Sequence, residues 1–197
     1  MKTVPRALVA MFVAGCAAGA PVPKAPEPPA VTSATPIAQA GAPGRAFDVH
    51  DFDALAGEWD VENRRLAHRG VGSNEWTEFP AHCKMQLYLG GVANVDQIDF
   101  PTLGFSGLTV RTFDLAKKEW SIFWVNSKNG IMTPPVVGGF VGARGEFYGD
   151  DTDDGRKVRV RFVWTKLGPD KAHWEQSFDY GDGKWEKNWE NTLTRRR

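Results

Sequence analysis

Val158-Arg159-Val160-Arg161-Phe162-Val163-Trp164 sets large apolar side chains against charged ones at a period of two. Successive side chains of an extended chain point to opposite faces. Val158, Val160, Phe162 and Trp164 therefore form one row, and Arg159 and Arg161 the other. Such a strip lays one face on a core and the other in water. The period recurs in Trp120, Ile122 and Trp124 against Glu119, Ser121 and Phe123, and in Trp185, Trp189 and Leu193 against Glu186, Asn188 and Glu190. No window sustains an apolar period of 3.6, which argues against a helical core.

Further extended segments lie on both sides of this stretch, at residues 58–66, 75–89, 92–100, 107–113, 119–126, 139–148, 157–166, 172–179 and 185–194. Turn chemistry separates many of them: Gly90-Gly91, the run from Asp114 to Lys117, the run from Asp150 to Gly155, Gly168-Pro169-Asp170 and Gly181-Asp182-Gly183. Pro80 falls inside the second segment and marks a sheet edge or a bulge. Short connections make chain neighbours pair, and closure removes the exposed edges. The expectation is an all-β fold: one antiparallel up-and-down β-barrel of about eight to ten strands.

Composition bounds the function. All 8 Trp lie in the barrel region, a large aromatic content for one domain. The formal net charge of +0 supplies no field to steer the domain to nucleic acid. Arg195-Arg196-Arg197 is the one basic block and reads as a solvated tail. Of the 2 Cys, Cys83 follows His82 on a strand, where neighbours face opposite ways, so the pair does not form a nucleophile and its base.

The N-terminus differs from the rest. Lys2 and Arg6 precede a short apolar run at residues 7–14, and Val13-Ala14-Gly15-Cys16 closes it. The run is too short to span a bilayer as a mature helix. This order looks like a bacterial lipoprotein signal over residues 1–16, with Cys16 acylated and made the new N-terminus. The alternative is a secretory signal cut near residues 17–20, leaving a soluble secreted protein. Residues 17–45 are rich in Pro and Ala with almost no large apolar side chains, a composition that cannot bury enough surface to fold and suits an extended tether. Residues 46–197 form the barrel domain. The expected localisation is the cell envelope, lipid-anchored and facing the periplasm or exterior. With Cys16 acylated, Cys83 has no disulfide partner.

Gly57-Glu58-Trp59 resembles the Gly-x-Trp signature of lipocalin and calycin barrels. In those barrels the Trp closes the base under a basic residue from the last strand, and Arg195 stands where that residue belongs. The chain is also similar to the DUF1579 family of bacterial secreted proteins of unknown function. The resemblance runs through residues 55–59, 89–96, 107–111, 134–138, 145–150 and 174–178. It implies a lipocalin-like fold and an extracytoplasmic compartment; it implies no reaction. Trp59 and Arg195 are accordingly assigned to barrel closure.

Candidate ligand-binding residues are Trp76, Asn94, Asp96, Arg111, Trp124, Trp174 and Gln176. Aromatic walls with a few polar groups suit a small-molecule site. Asn94 and Asp96 share a strand face, with Asp99 close by in sequence. If that face is inward, a buried Asp96 needs a partner, for which Glu78, Arg111 and Gln176 are available. Residues 150–155 collect acidic oxygens before a Gly, as a calcium loop or a solvated hairpin turn, but lack the downstream Glu of an EF-hand. His50, His68, His82 and His173 show no zinc-ligand spacing, so no metal is expected. A haem barrel would use His173 beside Trp174; the plainer reading is a surface His, and no cofactor is expected. Pro134-Pro135-Val136-Val137-Gly138-Gly139 reads either as a lid over the mouth or as a linker packed outside. Three functions compete: a carrier of a small apolar or amphipathic ligand, a partner-binding envelope protein with a filled barrel, and an enzyme using an inward Asp or Glu as acid or base.

Overall fold

The structure is a computed structural model and describes residues 47–197; Cys16, the leader and the Pro/Ala-rich segment lie outside the described residues. The strands are β1 (Gly57–Leu66), β2 (Trp76–Tyr88), β3 (Ala93–Phe100), β4 (Phe105–Asp114), β5 (Glu119–Asn126), β6 (Val136–Val141), β7 (Arg144–Asp153), β8 (Arg156–Gly168), β9 (Lys171–Asp179) and β10 (Glu186–Arg195). Every strand pairs antiparallel with its chain neighbours. β1 also pairs with β10, from Trp59 opposite Arg195 to Arg65 opposite Trp189, which closes the barrel. This is the all-β up-and-down architecture expected, and it is lipocalin-like.

Alternation decides which residues enter the barrel. On β8 Val158, Val160 and Trp164 are buried while Arg159 and Arg161 remain partly exposed. β2 buries Phe79, Ala81, Cys83 and Met85, and β3 buries Asn94, Asp96, Ile98 and Phe100. Pro80 interrupts neither strand pairing. β3 pairs with β2 only from His82 onward, so Pro80 sits in a stretch bonded to β1 alone, where a missing N–H costs least.

Two segments differ from expectation. Residues 139–148 are not one strand: β6 ends at Val141, the chain turns at Gly142 (φ +66°), and β7 begins at Arg144. The run from Pro134 to Gly139 is correspondingly neither lid nor linker from Val136 onward, because those residues are wall. Gly138 must be Gly there, since a Cβ would fall 2.0 Å from the Glu146 carbonyl oxygen. Residues 150–155 are mostly strand as well. The turn is Asp154-Gly155, with φ +48° and +78°, the left-handed pair that a tight hairpin favours.

The segment before β1 plugs one end. Phe52 is fully buried, edge-on to Trp120 (4.9 Å between centroids) and Phe140 (5.1 Å). Trp120 Nε1 donates to the Asp48 carbonyl (3.0 Å), fixing the segment across the opening. Arg195 then fastens it. The guanidinium lies 4.2 Å from the Trp59 ring centroid and donates to the carbonyls of Ala54 (2.6 Å), Ala56 (2.7 Å) and Pro169 (3.0 Å). Three carbonyls in three directions suit a planar guanidinium and not a single ammonium. Arg195→Ala is expected to cost about 2 kcal/mol in urea unfolding, from lost hydrogen bonds and the ring contact, with Arg195→Lys recovering less than half.

Candidate functional site

Behind the plug the barrel encloses a cavity of about 120 Å³, taken as the space a water molecule's centre can visit. One water needs roughly 10–15 Å³ on that measure, so the space holds a small molecule. Trp124, Phe162, Trp164, Trp174 and Trp189 supply the aromatic wall. Phe162 meets Trp174 edge-on at 5.0 Å, and Trp174 meets Trp189 at 5.9 Å, so each ring fixes its neighbour. Gly107 makes room: a Cβ there would lie 1.7 Å from the Trp124 ring. The lining reaches Thr133 before β6 and Asp151 near the end of β7, which puts the mouth opposite the plug.

Two polar patches interrupt this wall. The first is on β3 and β4. Arg111 Nη1 lies 2.5 Å from Asp96 Oδ2 and donates to Asn94 Oδ1 (3.0 Å), with all three residues buried. The guanidinium also lies 5.0 Å from the Phe52 ring and 5.5 Å from Trp164. Of the partners considered for Asp96, Arg111 is the one in place. Cys83 lies beside this pair. Burial, reinforced by the Asp96 charge, pushes its thiol well up, so Cys83 stays protonated.

The second patch is on β1, β9 and β10. Gln176 Nε2 donates to Asn188 Oδ1 (2.9 Å), and Trp189 Nε1 donates to Asn63 Oδ1 (3.0 Å). Asn63 stands opposite Asn191 across the β1–β10 pair, and Asn191 lines the cavity. Sequence reading included Gln176 but missed Asn63 and Asn191. The signal was the alternation itself: Asn63 shares the inward parity of Trp59 and Val61, and Asn191 that of Leu193, while the bulge between Lys187 and Trp189 adds Asn188 to the interior.

Trp124, Trp174, Gln176, Asp96 and Arg111 therefore converge on one cavity, and Asn94 braces Arg111 from behind. Trp76 does not belong. It sits on the outer face of β2, with the Arg64 guanidinium 5.1 Å from its ring, because Phe79 and Ala81 take the inward phase. Glu78 and Asp99 also face outward; Asp99 accepts from Ser106 Oγ (2.5 Å) and Gln97 (2.9 Å), which hold its carboxyl below the usual range. Trp185 lies outside against Arg161, at 4.9 Å.

The acidic run does not converge either. Its carboxylates alternate between faces, and Asp153 is taken by Arg69 (2.6 Å) and Tyr180 (2.8 Å). His173 is on the outer wall, out of reach of the cavity as an axial ligand. It gathers with Glu175 and Glu190, but the Lys187 ammonium already bridges those carboxylates at 3.0 and 2.5 Å.

The comparisons place the fold. No family model matches the chain, and no curated protein matches it in sequence, so the family resemblance rests on the residues quoted for it. Among solved structures the chain is similar to Rv2717c from M. tuberculosis, at a TM-score of 0.53 and 12% identity, covering 76% of this chain and 97% of that one. It also resembles the S-type phycobiliprotein lyase CPES from Guillardia theta, at a TM-score of 0.48 and 9% identity, covering 74% of this chain and 90% of that one. At 12% identity the likeness to Rv2717c speaks to fold alone.

Two outcomes follow from the buried pair. Arg111→Met strands the Asp96 carboxylate and is expected to cost about 3–5 kcal/mol in urea unfolding, most of which Asp96→Asn restores in the double variant. The Cys83 thiol is expected to resist a thiol reagent at neutral pH until the protein unfolds. The unfolded thiol ionises first as pH rises past its ordinary value of 9.0, so stability falls there, and less steeply in Cys83→Ala.

Proposed function

We propose that the barrel binds a small, largely apolar ring-containing molecule among Trp124, Phe162, Trp164, Trp174 and Trp189. The observation that carries this reading is the cavity itself, walled by interlocked aromatic rings at the end away from the plug. The mouth loops expose Val71, Leu103, Ile131 and Met132, an apolar lip over which such a molecule enters. Asp96 is held by Arg111, which suits it to orienting a ligand more than to moving a proton.

We place the protein in the cell envelope, tethered through an acylated Cys16 by the Pro/Ala-rich segment, as a lipocalin-like relative of the DUF1579 family. The support is the Val13-Ala14-Gly15-Cys16 sequence and the ordered matches along the barrel.

Uncharged N-phenyl-1-naphthylamine, dark in water and bright in apolar surroundings, tests the binding. The full-length protein is expected to light it with a Kd on the order of micromolar. Thr109→Phe, which fills the cavity wall, is expected to abolish the signal while the fold is retained. Equal fluorescence with the filled variant contradicts the reading. An intact mass of the protein from its own host decides the anchor: acyl chains on Cys16 support it, and an unmodified chain cut elsewhere ends it.

A further inference from the structure

The amides of the second patch are incompletely paired. Asn191 is 9% exposed, and its Oδ1 is buried with no hydrogen-bond donor among the described residues. Asn63 is 1% exposed; its Oδ1 accepts from Trp189, while its Nδ2 finds no acceptor. Asn188, 0% exposed, likewise leaves Nδ2 without a partner after accepting from Gln176. A buried polar atom without a partner is unfavourable enough that native structures pair nearly all of them. Here three orphan atoms, two donors and one acceptor, cluster on one wall. The register pair Asn63–Asn191 sets a donor and an acceptor side by side beside the rings of Trp174 and Trp189.

The charge of the lining narrows the complement. Asp96, Arg111 and Asp151 are the acidic and basic side chains lining the cavity. Arg111 is neutralised by Asp96, which leaves Asp151 as the surplus, a single negative charge. A carboxylate entering this space meets that charge and amides that offer no cation.

We infer that Asn191, with Asn63 beside it, recognises a neutral group that both donates and accepts a hydrogen bond, such as the hydroxyl of an aromatic alcohol. The site discriminates against the corresponding carboxylate. This rests on the proposed cavity binding and names the class of ligand. A hydroxyl donates to Asn191 Oδ1 and accepts from the neighbouring amide, while its ring lies against Trp174.

The test is calorimetric titration at pH 7 of the full-length protein with three probes of one shape: naphthalene, 2-naphthol and 2-naphthoate. The expected result is that 2-naphthol binds about tenfold tighter than naphthalene and 2-naphthoate binds weakest. In Asn191→Leu the preference is lost: the ratio of the 2-naphthol to the naphthalene affinity falls to about one. The wild-type protein gives an independent readout by NMR: the Asn191 side-chain amide resonances shift with 2-naphthol more than with naphthalene, whether or not the variant folds. A 2-naphthol preference that survives Asn191→Leu, unmoved Asn191 resonances, or 2-naphthoate binding as tightly as 2-naphthol overturns the inference and leaves the cavity reading intact. Failure of all three probes overturns the cavity reading, and the inference with it.

Discussion

The constraint on which everything else rests is that β1 is bonded on both sides. Its residues face β2 from Gly57 opposite Met85 to Leu66 opposite Trp76, and β10 from Trp59 opposite Arg195 to Arg65 opposite Trp189. A closed ring has no free edge and no freedom to slip. A shift of one residue in any pair would turn the whole inward row of that strand to water. Each inward position is thereby fixed by parity, and the interior is an inventory of alternate residues. Arg195 guards the register where it matters most, tying the last strand, the Trp59 ring and the carbonyls of the plug into one contact.

Much of this was legible in the sequence. The alternations of β5 and β8 gave the sheet, the Gly and Asp turns gave the hairpins, and Trp59 and Arg195 lie in contact as the Gly-x-Trp resemblance implied. What could not be read is tertiary. Gly138 and Gly139 close a Pro-rich run that reads as a lid or an outside linker. They are wall because the Glu146 carbonyl presses on one and the Phe47 ring lies on the other. Trp76 reads as part of the aromatic wall with the other Trp residues, but parity from Phe79 sends it out. The bulge in β10 shifts phase without any local signal: it turns Trp185 out and Asn188 in, while Asn191 keeps the phase of Trp189 and Leu193. Phe52, the centre of the plug, precedes the first strand and belongs to no alternation at all.

The interior is notable for how its polar groups are distributed. Asp96 and Asn94 both bind Arg111 on one wall, and that patch braces the aromatic shell through Phe52 and Trp164. Both walls keep buried donors without a partner: Arg111 Nε and Asn94 Nδ2 on one, Asn63 Nδ2 and Asn188 Nδ2 on the other. What distinguishes the amide wall is that it also holds an unpartnered acceptor, Asn191 Oδ1, on the cavity lining.

The central claim is that the barrel has an accessible interior at the aromatic wall and is not filled. The most direct measurement is a crystal structure of the protein exposed to xenon gas, since xenon enters apolar cavities of this order and scatters strongly. The account predicts a xenon site enclosed by Trp124, Phe162, Trp164 and Trp174. A barrel interior without xenon, with those rings closed on one another, would contradict it.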